Sequence, residues 1–85
     1  ISGDAGQQAR QCFLNIQATL AAVNSTIKDI VRITYLVSDR DDLAAFAPVF
    51  REFLNEVRPA ATLQIVGLLD ENMKIEIEVT AKRGT

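Results

Sequence analysis

Histidine is absent from this 85-residue sequence, and cysteine occurs only once. The missing histidine removes the commonest general base, the Ser-His and Cys-His nucleophile pairs and imidazole metal ligands. Because Cys12 has no second cysteine to pair with, no internal disulfide can form, and a reducing compartment is favoured. We therefore expect a cytoplasmic protein that holds no metal and no cofactor.

Clustered cations and long apolar runs are also missing. Lysine and arginine together number nine and are scattered, and the formal net charge is -2. A surface that follows nucleic-acid phosphates needs such cations side by side, and a bilayer-spanning helix needs about 20 apolar residues in succession. The N-terminus lacks the charged and then apolar order of a signal peptide. We expect no nucleic-acid or membrane partner.

The composition is that of a small globular domain, with 48% hydrophobic and 24% charged residues. A chain of this length buries only about 60% of the surface that its unfolded form exposes. Since neither a disulfide nor a metal is expected to reinforce so small a core, oligomerisation is the remaining means of stabilisation. We therefore expect an oligomer.

The first predicted element is a helix over Ala5–Val23. Apolar side chains recur there every three or four residues, which places them on one stripe of a helix. Asp4 is the expected N-cap. Cys12 lies on the apolar stripe, and we interpret it as a small buried side chain rather than a reactive thiol.

A second helix is predicted over Asp42–Val57. Three of the four phenylalanines fall within it, and we assign them to packing against a sheet. Pro48 lies inside this segment, lacks a backbone N–H and would clash with the carbonyl of Ala44. We expect a distorted first turn over residues 42–46, or a helix that starts near Ala47.

Three strands are predicted, over Ile30–Val37, Ala61–Leu69 and Lys74–Lys82, because apolar and polar residues alternate there. The last two are separated only by residues 70–73, which predicts an antiparallel pair. In the first strand, one face is expected to hold Val31, Ile33, Tyr35 and Val37. The order helix–strand–helix–strand–strand predicts an α+β domain whose two helices cover one face of the sheet.

Glu76 and Glu78 form the one constellation that could support chemistry, because two carboxylates lie on one strand face. A buried carboxylate can position water or act as a general acid or base; the alternative is a solvated face with Lys74 and Lys82 as neighbours. Possible polar partners on the same side are Arg32, Arg58, Thr62 and Gln64. The acidic loop at residues 39–42 is interpreted as helix capping, not as a metal site.

Four stretches make the sequence similar to the RidA family, also called YjgF or L-PSP: QQARQCFLNI (7–16), KDIVRITYLVSDRDDLAAF (28–46), FREFLNEVRPAATLQIVGL (50–68) and KIEIEVTA (74–81). The resemblance implies a chorismate-mutase-like fold in which three subunits close their sheets into a barrel, with ligand sites between subunits. Typical members begin with two further strands, so residues 1–85 are expected to form a single, N-terminally incomplete domain of this kind.

The resemblance also implies an activity, which is hydrolysis of reactive 2-imino or enamine acids to keto acids and ammonia. The family glutamate that holds the attacking water corresponds to Glu76, and ligand contacts are implied for Thr62 and for the backbone of Leu63. The arginine that clamps the substrate carboxylate corresponds to Ala61, which offers no donor. Arg58 precedes the strand and is a poor substitute, so Arg32 across the sheet is the candidate cation.

Two other family positions also differ, since an asparagine corresponds to Ala47 and a tyrosine to Phe50. Three functions therefore remain open. The first is an imine or enamine deaminase that uses Glu76. The second is a non-catalytic homotrimer that binds a small molecule between its subunits. The third and weakest is a ribonuclease, because the chain is acidic and lacks histidine.

Overall fold

The computed structural model describes residues 4–82. Two helices pack against a three-stranded sheet, which confirms the predicted α+β class. Short 3-10 helices at Ile27–Asp29 and Arg40–Asp42 precede the first strand and the second helix. The main elements, in chain order, are α1 (Ala5–Ala21), β1 (Ile30–Val37), α2 (Leu43–Leu54), β2 (Ala60–Ile65) and β3 (Ile75–Ala81).

The sheet has the strand order β2-β1-β3, with β1 parallel to β2 and antiparallel to β3. The prediction that the last two strands pair with each other is therefore wrong, because β1 lies between them. The error comes from the predicted end of the second strand at Leu69, which left only residues 70–73 for the connection. Strand β2 already ends at Ile65, so residues 66–74 connect it to β3 and are numerous enough to cross β1. The parallel pair is joined through α2, as a crossover connection requires.

The central strand β1 places Ile33, Tyr35 and Val37 in the core, where their relative exposures are 0%, 7% and 0%. The expected alternation fails at the start of the strand, where Ile30 is buried and Val31 is 49% exposed. The pairing with β3 shifts between Ile30 and Arg32, as happens at a β-bulge. The prediction that Val31 shares the buried face is therefore wrong, because the extra residue reverses the alternation.

Aromatic rings fill the space between the helices and the sheet. Phe13 and Phe46 are fully buried. Phe50 stacks on Tyr35 with 4.3 Å between ring centroids, and Phe53 stacks on Phe13 at 4.9 Å. Burial raises the pKa of the Tyr35 phenol to about 12. The phenylalanines of the second helix are thus core residues, as predicted.

The ends of α1 follow from local hydrogen bonds. The Asp4 side chain accepts from the Gln7 N–H at 2.9 Å, which confirms the predicted N-cap. At the other end Asn24 adopts a left-handed conformation, with φ of 60°, and the Ser25 N–H donates to the Leu20 carbonyl at 2.8 Å. This Schellman-type closure ends the helix at Ala21, two residues before the predicted end at Val23.

Helix α2 starts at Leu43 and continues through Pro48. The alternative start near Ala47 is therefore wrong. The irregular turn is the 3-10 helix Arg40–Asp42, which starts earlier than the predicted distortion over residues 42–46 and overlaps it only at Asp42. The Asp39 side chain accepts from the Asp41 N–H at 2.9 Å, which agrees with the assignment of the acidic loop to capping.

An exposed ion pair joins the two helices. The Arg10 guanidinium donates to both carboxylate oxygens of Glu52, one of them at 2.6 Å, and also lies 5.9 Å from the centroid of the Phe53 ring. The hydrogen bond from Arg10 lowers the pKa of the Glu52 carboxyl. Because both groups face solvent, the pair contributes little to the free energy of unfolding.

Gln8 connects α1 to the start of β3, a role that the sequence pattern does not reveal. Its side chain is buried at 8% relative exposure. The amide nitrogen donates to the Asn72 carbonyl at 3.0 Å, and the amide oxygen accepts from the Lys74 N–H at 2.7 Å. Two backbone groups of the connection between β2 and β3 are thereby satisfied by one helix residue.

We predict that Gln8→Leu lowers the free energy of unfolding by about 1–3 kcal/mol, because it removes the partner of two part-buried backbone groups, the Asn72 carbonyl and the Lys74 N–H. Urea unfolding followed by circular dichroism measures the change. The matched control is Gln11→Leu, which removes an exposed amide pair with Asn15 and should cost only about 0.2–0.5 kcal/mol. Equal losses in the two variants would contradict the role assigned to Gln8.

Candidate functional site

The sheet has a second face that the helices do not cover, called the polar face below. Its middle strand contributes two half-buried side chains, Thr34 and Leu36, whereas its outer strands contribute mainly exposed polar ones. Its members are Arg32, Thr34 and Leu36 on β1, Thr62 and Gln64 on β2, and Glu76, Glu78 and Thr80 on β3. Three of the four predicted site residues, Arg32, Thr62 and Glu76, therefore share this face.

The strand register separates these three residues within one chain. Glu76 lies opposite Leu36, whereas Thr62 lies opposite Thr34 on the far side of β1. Two strand spacings, about 10 Å, separate the outer strands. Arg32 pairs with Thr80, four residues from Glu76 and thus about 13 Å along the strand. One chain places these side chains on one face without bringing them into contact.

Leu63, the fourth predicted site residue, has the opposite orientation. It pairs with Tyr35 and packs against the core. Ala61 pairs with Ile33 and so has the same orientation as Leu63, toward the helix side of the sheet. Because β2 is an edge strand, Ala61 remains exposed there. Position 61 and Glu76 therefore lie on opposite faces of the same sheet.

Cys12 lies between α1 and β3, with its Sγ atom 3.9 Å from the Ile75 carbonyl oxygen. Burial raises the pKa of the thiol, and the negative charge of Glu76 raises it further. A raised pKa disfavours the nucleophilic thiolate. The half-buried position agrees with the interpretation of Cys12 as a small packing residue.

The grooves in the described part of the chain include three of similar volume, none of which is lined by residues of the polar face. One of about 400 Å³ lies between α1 and β3 and contains Cys12 and Met73. A second, of about 470 Å³, lies where β1 and β2 begin. The third, of about 420 Å³, lies beside the C-terminal end of α2.

Within residues 4–82, no three acidic, histidine or cysteine side chains are grouped in a way that could hold a metal ion. Over the same residues, no helix combines the length and apolarity required to cross a membrane. The candidate chemistry is assigned to the carboxylates and hydroxyls of the polar face. The sequence pattern identified these groups, but it could not reveal the distances between them.

Comparison with known proteins identifies a matching family and several relatives. The profile of the family described as endoribonuclease L-PSP matches residues 1–83. The chain is 38% identical over 84 residues to the mitochondrial protein mmf1 of Schizosaccharomyces pombe, covering 95% of this chain and 52% of that protein. It is 34% identical over 86 residues to the 2-iminobutanoate/2-iminopropanoate deaminase of Salmonella typhimurium, covering 98% and 67% of the two chains.

Solved structures of relatives have the same fold. Yeast Mmf1 superposes with a TM-score of 0.91 at 28% identity, over 99% of this chain and 67% of that one. Escherichia coli TdcF with bound serine superposes with a TM-score of 0.90 at 30% identity, over 99% and 68% of the two chains. The chain thus spans about half to two thirds of the length of these relatives. Because the family profile covers nearly all of it, the chain belongs to the endoribonuclease L-PSP family, which is the RidA or YjgF family that its sequence resembles.

Proposed function

We propose that copies of this chain assemble around a threefold axis and form small-molecule sites where they meet, and that these sites hydrolyse reactive imines or enamines. The observation that carries the proposal is the separation of position 61 from Glu76 by the sheet. In the family that the sequence resembles, the residues at positions 61 and 76 are both implied to contact the same ligand. A site that uses both must therefore combine the helix side of one chain with the polar face of another.

The surface chemistry supports such an assembly. The polar face has Leu36 at its centre, half-buried between polar neighbours, and covering it with another copy would remove apolar surface from water. At the edge strand β2, Ile65 is 43% exposed. An edge strand also leaves one row of backbone hydrogen-bonding groups available to another chain. Packing between copies would cover these groups and enlarge the core of a small domain.

In the proposed reaction the Glu76 carboxylate accepts a hydrogen bond from water and takes its proton as the water oxygen bonds to the imine carbon. The proton then passes to the substrate nitrogen, which gives a carbinolamine. Glu76 next takes the proton of the new hydroxyl group and delivers it to the nitrogen, so the carbon–nitrogen bond breaks and ammonia leaves as the carbonyl forms. The Thr62 hydroxyl and the Leu63 backbone would hold the substrate. In one chain Arg32 lies about 13 Å along the sheet from Glu76, so in the proposed assembly a second copy would supply the cation beside Glu76.

Ala61 favours a second candidate function, a trimer that binds a small ligand without turning it over. Alanine cannot form the bidentate pair that fixes a carboxylate, so a substrate acid would lose its anchor. Serine, a small amino acid, is bound in the relative TdcF, which supports a small-molecule ligand for this candidate as well. Ribonuclease activity, which the family description mentions, is the weakest candidate because the chain has a net charge of -2 and no histidine.

We predict that Glu76→Gln lowers the rate of imine hydrolysis about 100-fold or more, the usual contribution of a general base. An amino acid oxidase generates the imine, and the decrease in semicarbazone formation measures its hydrolysis. Glu78→Gln, the neighbouring carboxylate on the same strand face, is the matched control and should retain activity. Equal activity in wild type and Glu76→Gln would contradict the role of Glu76. No acceleration by wild type over several amino acids would instead support the binding-only trimer.

We predict that Ala61→Arg raises the hydrolysis rate of imines that carry a carboxylate by about tenfold or more, because it restores a bidentate anion partner at an exposed position. The same semicarbazone assay measures the rate. Ala61→Gln adds a polar side chain without the positive charge and should give no comparable gain. If both variants behave like wild type, position 61 does not face the substrate.

A further inference from the structure

The backbone just before β3 is held by a side chain of α1. Gln8 is buried, and its amide forms two hydrogen bonds with this backbone. The amide nitrogen donates to the Asn72 carbonyl at 3.0 Å, and the amide oxygen accepts from the Lys74 N–H at 2.7 Å. The second of these backbone groups lies only two residues before Glu76.

Strand β3 is an outer strand, so its position depends on few neighbours. Among the described residues it pairs only with β1, and that pairing begins at Ile75. Just before it, the Ser38 N–H donates to the Lys74 carbonyl at 3.1 Å. The Lys74 ammonium lies 4.0 Å from the Asp42 carboxylate, a partly exposed pair that contributes little. Gln8 thus anchors from the helix side the same residue that Ser38 anchors from the side of β1.

A primary amide suits this position because the two backbone groups need opposite partners. The Asn72 carbonyl needs a donor and the Lys74 N–H needs an acceptor, and the Gln8 amide offers both. A second contact of α1 lies one helical turn further along, where the Cys12 Sγ atom is 3.9 Å from the Ile75 carbonyl oxygen. Helix α1 therefore contacts the backbone that leads into the strand at successive points.

We propose that Gln8 is a positioning residue for Glu76. It fixes the backbone two residues, or about 7 Å, before Glu76 and so sets where the carboxylate stands on the polar face. The inference rests on the proposed function, in which this carboxylate must meet both a water molecule and an imine carbon. A displacement of about 1 Å at a reacting group can lower a rate about 100-fold. Gln8 acts through the backbone, since it lies on the helix side of the sheet.

Amide hydrogen exchange of Gln8→Met tests the local effect without a measurement of activity. Methionine is unbranched and flexible, so it fills similar space but forms neither hydrogen bond. We expect exchange to accelerate about tenfold more at residues 74–77 than at residues 79–81, because both hydrogen bonds are lost at the start of the strand. Leu20→Ala, a buried change at the other end of α1, is the control and should accelerate exchange equally in both ranges.

The semicarbazone assay, with the imine concentration varied through the amount of oxidase, tests the catalytic effect. We expect Gln8→Met to lower kcat about tenfold or more and to leave KM within about twofold of wild type. The groups proposed to hold the substrate, at Thr62 and Leu63, lie on β2 and are not displaced. At a temperature where both variants are folded, Leu20→Ala should keep the wild-type kcat although it destabilises the protein.

The inference is overturned if exchange in Gln8→Met accelerates equally in both ranges of β3, or if this variant keeps the wild-type kcat. It is equally overturned if Leu20→Ala lowers kcat as much as Gln8→Met does. A wild type without activity would instead overturn the proposed function, while the exchange rates would still show whether Gln8 fixes the start of β3. If Gln8→Met does not fold, Gln8→Glu, which keeps an acceptor for the Lys74 N–H but loses the donor, is measured in the same way with the same expected outcomes.

Discussion

The two-residue alternation of the central strand is the constraint on which the rest of the structure depends. Strand β1 has hydrogen-bonded neighbours on both sides, so its side chains can point only toward the helices or away from them. Ile33, Tyr35 and Val37 point toward the helices and meet the aromatic side chains of α1 and α2. The same alternation directs Arg32, Thr34 and Leu36 to the polar face. Because paired residues on neighbouring strands point to the same side of a sheet, the register also determines which residues of β2 and β3 face the helices and which belong to the polar face.

This division determines what one chain can do. Glu76 faces one side of the sheet, whereas position 61 faces the other, although the resembling family uses both positions for one ligand. No rotation of side chains moves a residue through a hydrogen-bonded sheet. The functional unit is therefore proposed to be an assembly, in which copies of the chain provide the two halves of a site. In that proposal Ala61, in place of the arginine that the family resemblance implies, would change which ligands are held, and Glu76 would orient water.

Much of the fold could be predicted because its elements have strong periodicity. The apolar stripes of α1 and α2 and the alternation of β3 identify their elements within a few residues. The partner of β3 could not be predicted, because the length of the connection depends on where β2 ends. The exposure of Val31 depends on a bulge, and the role of Gln8 depends on a contact between residues more than 60 positions apart. Periodicity carries no information about either feature.

The candidate site, like the fold, could be predicted only in part. Alternation alone places Glu76 and Glu78 on one face, and the likeness to the family identifies Glu76 as the residue of interest. The opposite orientation of Ala61 follows from its pairing with Ile33 and so requires the sheet register. The groove where β1 and β2 begin requires the bulge and the turn after α2 to come together. Sequence patterns therefore identify individual groups, whereas their relation to one another depends on tertiary structure.

The measurement that tests the central claim most directly is the mass of the protein in solution, obtained by light scattering coupled to size-exclusion chromatography. Assembly around a threefold axis predicts a stable particle of three times the chain mass of 9.3 kDa. A folded particle with the mass of one chain would contradict the account, because a single chain keeps position 61 and Glu76 on opposite sides of its sheet.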